Sequence, residues 1–139
     1  MLSVEEGIKY LQASGAKITS QRIAIMKSLA GRSDHPSAEK LFLELKPQYP
    51  TLSIATVYST TQILAQASML RILSIDERKV YFDPDTHPHA HFMCTQCKKI
   101  IDIDVDLEIL TRVGPKSGVA SIENTEIFHY GLCSECGSD

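Results

Sequence analysis

Eleven residues, HPHAHFMCTQC from His87 to Cys97, hold three of the chain's 5 histidines and two of its 4 cysteines. The remaining cysteines form a second pair, Cys133-x-x-Cys136. A CxxC turn presents two thiolates to one side of an ion, and two such turns close the tetrahedral shell of Zn²⁺ with no open position. The rival chemistry for this spacing is a dithiol redox switch, which begins a helix after a strand in a βαβ setting. Neither CxxC here opens an obvious amphipathic helix. Structural zinc on Cys94, Cys97, Cys133 and Cys136 is therefore the expectation. His89 and His91 stand two apart and project to one side of an extended segment. Isolated histidines are mostly ordinary surface residues, and His87, beside Pro88, and His129 read that way.

The elements that must position these groups fall into two runs. Over the first, apolar residues recur at helical spacing. Val4, Ile8 and Leu11 share a face that ends at Gly15, and Thr19 caps a second helix with Ile23, Met26 and Leu29 inward. A third helix, with Pro36 in its first turn, places Ala38, Leu41, Phe42 and Leu45 inward. Ser53 caps a fourth, reaching Ala67, with Ile54, Val57, Thr61, Leu64 and Ala65 inward. Its other face, Thr56, Tyr58, Ser59, Thr60 and Gln62, is polar and uncharged. Two strands near Leu70–Ser74 and Lys79–Asp83 follow. Short helices and then a hairpin is the order of a winged helix-turn-helix, which sets one helix in a DNA major groove.

The second run predicts a strand around His91–Cys94, a strand through KIIDIDV, a short helix over DLEILTRVG and a last strand over GVASIENTEIFHYGLC. In that helix Leu107, Leu110 and Val113 would face inward, with Gly114 after its end. So small a sheet buries little core by itself, which points to pairing with a second copy. The fold class is thus α+β. An N-terminal winged helix over residues 1–83 precedes a small α/β dimerisation domain over residues 84–139, with a hinge near Pro84 and Pro88. Charge divides the same way. Residues 1–82 hold 10 Lys/Arg against 7 Asp/Glu, and residues 83–139 hold 4 against 10. No apolar run approaches the roughly 18 residues of a membrane span. The opening MLSVEEGIKYLQ lacks a basic leader and apolar core, so the expected location is the cytoplasm.

Over nearly its whole length the chain resembles the ferric uptake regulator (Fur) superfamily of bacterial metal-dependent repressors. The matching stretches are ITSQRIAIM, HPSAEKLF, LSIATVYS, HAHFMCTQC, the KIIDI strand and YGLCSEC. The resemblance implies the Cys₄ zinc and, in addition, a regulatory metal at the domain junction. Its ligands would be His35, Asp83, His89, His91 and Asp102, an N₃O₂ set suited to Fe²⁺, Mn²⁺ or Zn²⁺. It also implies that the fourth helix enters the DNA, with Ser53, Thr56, Tyr58, Ser59 and Thr60 as candidate contacts, and that Arg22, within the TxQR element, touches phosphate. A glycine is common in the family where Lys98 stands.

Both carboxylates of the implied site are aspartates, which resembles the peroxide-sensing branch, whereas iron-uptake regulators usually place glutamate at these positions. That branch implies oxidation of a histidine ligand, here His35 or His89, and release of DNA. The reading is a homodimeric, metal-activated repressor on a palindromic operator, sensing hydrogen peroxide through iron and consumed by use. A repressor reporting only iron, manganese or zinc supply is the alternative. A small metalloenzyme is disfavoured, because no substrate-handling motif accompanies the His/Asp set and the winged helix would be unexplained.

Overall fold

The computed structural model describes residues 1–106, 108 and 118–138. Four helices open the chain, α1 Val4–Ala13, α2 Ser20–Leu29, α3 Ala38–Leu45 and α4 Ile54–Gln66. A hairpin of β1 Arg71–Leu73 and β2 Tyr81–Asp83 follows, then β3 Ala90–Cys94, β4 Ile100–Ile103 and β5 Phe128–Gly131. The chain divides into two compact units, Met1–His87 and Pro88–Asp139.

In the first unit each helix begins on a hydroxyl. The side chains of Ser3, Thr19, Ser37 and Ser53 accept from the backbone N–H three residues on. Each such cap is worth about 1 kcal/mol. The helices pack around Leu11, Ile25, Leu29, Leu41, Val57 and Leu64, all fully buried. The spacing of three in α2 under-reads its inward face. Ala24 and Ile25 are buried as well, because α2 touches α1, α3 and α4 and needs a broad apolar arc.

Two expectations for this unit are corrected. Pro36 stands outside α3, one residue before its cap Ser37. Its carbonyl accepts from Phe82 N at 2.9 Å, and Ala38 N donates to Val80 O at 3.1 Å. The segment thus lies along β2 as a short antiparallel rung, with Ser37 opposite Tyr81. On α4, Thr60 is fully buried with Val57, Thr61 and Leu64, whereas Ile54 is 36% exposed. Residues 57, 60, 61 and 64 form the helix's i, i+3, i+4, i+7 stripe, and that geometry outranks the polarity of threonine.

Among the described residues the second unit forms a three-stranded sheet in the order β4–β3–β5. The β3–β4 pair is antiparallel with His91 opposite Asp102. The β3–β5 pair is parallel with Cys94 opposite Gly131. The last strand is far shorter than its sequence predicts, and residues 118–127 form no strand. Its parallel partner begins only at Ala90, and pairing starts at His91 with Phe128, so the upstream residues find no ladder. Of the helix expected over DLEILTRVG, residues 107 and 109–114, with Leu107, Leu110, Val113 and Gly114 among them, lie outside the described residues.

Candidate metal centres and DNA-facing helix

The two CxxC turns are brought together by the parallel pairing of β3 with β5. Thr95 donates to Gly131 O through its backbone N at 2.8 Å and through Oγ1 at 3.2 Å, tying the first turn to the strand that leads into the second. The first turn closes with Lys98 N donating to Cys94 O at 2.9 Å, the second with Gly137 N donating to Cys133 O at 2.8 Å. Lys98 takes a left-handed φ of 65°. The four sulfurs lie within 4.8 Å of one another. Cys97 Sγ and Cys133 Sγ are 3.8 Å apart. Zn–S bonds of about 2.3 Å give a tetrahedral S···S edge of about 3.8 Å, so the cluster has the dimensions of a zinc site.

The acid–base chemistry of these sulfurs fits the same ion. The backbone N–H of Cys97 leads the interactions that lower the Cys94 thiol to about 6. Hydrogen bonding to Cys133, then burial, pushes Cys136 up to about 12. One thiolate is comfortable in such a cluster. Four are not without a cation, and a divalent ion lets all of them ionise.

The histidines and aspartates of the second candidate centre form two half-sets. In the first unit, continuing the Ser37–Tyr81 rung by two residues brings His35 opposite Asp83, with His35 Nε2 at 3.4 Å from Asp83 Oδ2. Both side chains are buried, and His35 adopts a left-handed φ of 49°. In the second unit the His91–Asp102 register and the two-residue spacing of His89 gather three donors. Asp102 Oδ1 lies 3.3 Å from His89 Nε2 and 3.5 Å from His91 Nε2. The two imidazoles sit 4.4 Å apart, centroid to centroid. His87, exposed, pairs with Asp85 at 2.8 Å.

The third feature is the outer surface of α4. Ser53 is exposed, and its hydroxyl is engaged by Thr56, through N at 3.1 Å and Oγ1 at 2.9 Å. Ser59 is exposed and bonds Thr56 O at 3.2 Å. Tyr58 is half-buried, 3.5 Å from Glu39 Oε1, and burial followed by the Glu39 charge raises its hydroxyl above the ordinary tyrosine range. Thr60, expected on this surface, belongs to the core and cannot reach a base. Arg22 Nη1 donates to Lys17 O at 2.8 Å, bracing the turn between α1 and α2. That brace was not legible from the TxQR element alone.

The family model described as "Ferric uptake regulator family" matches residues 13–130. The chain belongs to the ferric uptake regulator family. It is 31% identical over 134 residues to the peroxide-responsive repressor PerR of Staphylococcus aureus (strain USA300), covering 96% of this chain and 90% of that one. Among solved structures, PerR from Streptococcus pyogenes is 29% identical with a TM-score of 0.55, covering 98% of this chain and 94% of that one. The Francisella tularensis regulator with iron is 27% identical with a TM-score of 0.72, over 88% of this chain and 95% of that one. Helicobacter pylori Fur, at 22% identity, shares the fold with a TM-score of 0.80, over 99% of this chain and 95% of that one. This family member is thus a metal-dependent, DNA-binding transcription regulator with a winged-helix N-terminal unit. No helix among the described residues is long and apolar enough to cross a membrane.

Proposed function

We propose that this protein is a transcriptional repressor whose hold on DNA depends on a regulatory metal and is released by hydrogen peroxide. The observation that carries the reading is the make-up of the two half-sets, imidazole nitrogens set against aspartate oxygens at 3.3–3.5 Å. Three nitrogens and two oxygens are a hard donor set that suits Fe²⁺ or Mn²⁺ better than the soft Cys₄ cluster does, and Cys₄ suits Zn²⁺. In this reading Cys94, Cys97, Cys133 and Cys136 hold a structural zinc. His35, Asp83, His89, His91 and Asp102 share one regulatory ion.

Residues 1–83 bind DNA and residues 84–139 pair with a second copy. Two copies of α4 then meet successive major grooves of a palindromic operator, with Ser53, Thr56, Tyr58 and Ser59 as the contacts and Arg22 near phosphate. His35 and Asp83 come from the first unit and the other three donors from the second, so occupancy restrains one unit against the other. Metal binding and DNA binding must then strengthen each other by the same factor. The protein acts in the cytoplasm, and it is a regulator and not an enzyme.

Bound Fe²⁺ would supply the reducing chemistry that activates peroxide. The imidazole of His35 or His89 is the group that receives oxygen. In the net change one ring carbon of histidine exchanges C–H for an oxygen substituent, and the second peroxide oxygen leaves as water. An oxidised imidazole is a poorer donor, so the half-set loses a ligand and the coupling to DNA goes with it.

Peptide-mapped mass spectrometry of the zinc-loaded protein, given Fe²⁺ anaerobically and then one equivalent of hydrogen peroxide, tests this. The expected result is one added oxygen on His35 or His89, absent from a Mn²⁺-loaded control, with the cysteines still reduced. Unmodified histidines with intact metal-dependent DNA binding would leave a repressor that reports metal supply. Cysteine oxidation with zinc release would move the switch to the Cys₄ cluster.

A further inference from the structure

His35 is held by a turn that the metal-ligand reading leaves unexplained. The chain leaves α2 through Gly31 at φ 76° and arrives at His35 at φ 49° within four residues. A left-handed backbone at a residue other than glycine is costly and persists only where the surroundings fix it. One anchor is downstream, the Pro36 carbonyl accepting from Phe82 N. The other is Arg32. Its guanidinium makes a planar fork with Asp34, Nε to Oδ1 at 2.8 Å and Nη2 to Oδ2 at 2.7 Å. It makes a second fork with Glu44 on α3, Nη1 to Oε2 at 2.7 Å and Nη2 to Oε1 at 3.2 Å. Lys40 Nζ adds a bond to Asp34 Oδ2 at 2.9 Å.

Single surface ion pairs contribute little, but bidentate arginine geometry and networks are the exceptions. This is both, and the arginine side chain is only 19% exposed. The carboxylate that it grips belongs to the residue directly before His35. We propose that Arg32 is a positioning residue for the regulatory metal, clamping Asp34 to α3 through Glu44 so that the turn presents the His35 imidazole beside Asp83. The proposal rests on the reading of His35 as a ligand. A lysine cannot replace the arginine, because an ammonium is a point charge and cannot fork to two carboxylates.

The test titrates Mn²⁺ into the zinc-loaded full chain and its Arg32→Ala, Arg32→Lys, Glu44→Gln and His35→Ala variants, alongside zinc content and the unfolding temperature of the protein before Mn²⁺ addition. Supports of metal ligands typically change affinity by about 10- to 100-fold. Arg32→Ala should sit at the lower end of that range, Glu44→Gln should lose a smaller factor, and Arg32→Lys should fail to restore wild-type affinity. Zinc content should not change. Glu44→Gln keeps shape and polarity, so it reports on the clamp even where Arg32→Ala folds poorly. A merely structural role would lower the unfolding temperature and leave Mn²⁺ affinity alone. That result, with His35→Ala still weakening Mn²⁺ binding, overturns the clamp and spares the ligand reading. If His35→Ala binds Mn²⁺ like the wild type, the ligand reading fails and the clamp fails with it.

Discussion

Removing the proposed zinc should unfold one half of this protein and spare the other. The second unit spans Pro88–Asp139, 52 residues whose described strands are 5, 4 and 4 residues long. At about 0.05–0.15 kcal/mol per residue, a domain of that length is expected to be stable by only about 3–8 kcal/mol. Structural zinc on thiolates contributes about 10–16 kcal/mol at neutral pH in zinc-finger peptides. The metal term exceeds the whole expected margin, so the metal-free second unit has no positive stability left to lose. The perturbation is Cys133→Ser, which removes a buried candidate ligand within the second unit. Hydrogen exchange with mass spectrometry reads the outcome. Protection at Cys94 N and Thr95 N, bonded to Lys99 O and Gly131 O, should vanish. Amides of α2 and α4 should keep theirs. Undiminished protection across β3 in a zinc-free variant would refute the reasoning, because the sheet would then be standing on its own core.

Four smaller predictions follow from local geometry. Thr60 Oγ1 is buried without a hydrogen-bond partner among the described residues, so Thr60→Val should raise the stability of the first unit by about 1 kcal/mol, read by thermal unfolding, and leave operator affinity unchanged. A Cβ on Gly7 would come within 2.5 Å of the buried Met26 Sδ, so Gly7→Ala should cost about 1 kcal/mol despite its better helix propensity, with Met26→Val in the same chain recovering part of it. Lys98 holds φ 65°, so Lys98→Gly should relieve about 1 kcal/mol of strain in the first CxxC turn and slow zinc loss to a chelator. The Arg32 fork, first among the causes, holds the Asp34 carboxyl well below its ordinary 3.8. A depressed carboxylate stabilises above its unfolded pKa and loses that contribution as pH falls through the folded one. The unfolding-temperature gap between wild type and Asp34→Asn should therefore be flat from pH 8 to 5, closing only in acid below about 4.

The parts of the structure that could be read from the sequence are those governed by neighbours along the chain. Thr19 and Ser53 announce their helices because a cap bonds only three residues ahead. The Cys₄ cluster is legible because two CxxC turns exhaust the coordination of one ion. The His/Asp half-sets were reached only through family resemblance. Their pairing depends on strand register, with His35 and Asp83 separated by most of the first unit and joined by a rung at Ser37 and Tyr81. Ile25 was missed because a central helix buries a wider arc than one period reports. Thr60 was misplaced because position on the α4 stripe, not side-chain polarity, decides which residues turn inward. The brevity of β5 follows from its partner's length, which no local pattern carries.

The parallel pairing of β3 with β5 has a consequence for how the protein acquires its metal. Parallel neighbours cannot be joined by a tight turn, and the contact between Thr95 and Gly131 closes a loop of 36 residues. Loop closure costs entropy that grows only slowly with length, and it falls due once whichever long-range contact forms first. The ladder and the metal close the same loop, so each is the other's nucleus. Zinc bridging both CxxC turns early would raise the local concentration of the distant strand, and a sheet formed early would present the second turn ready-made. Zinc uptake and sheet formation should then appear as one kinetic phase. Departure of the ion should be slow, because both thiolates of one turn must let go, and the ladder part, before the loop can reopen.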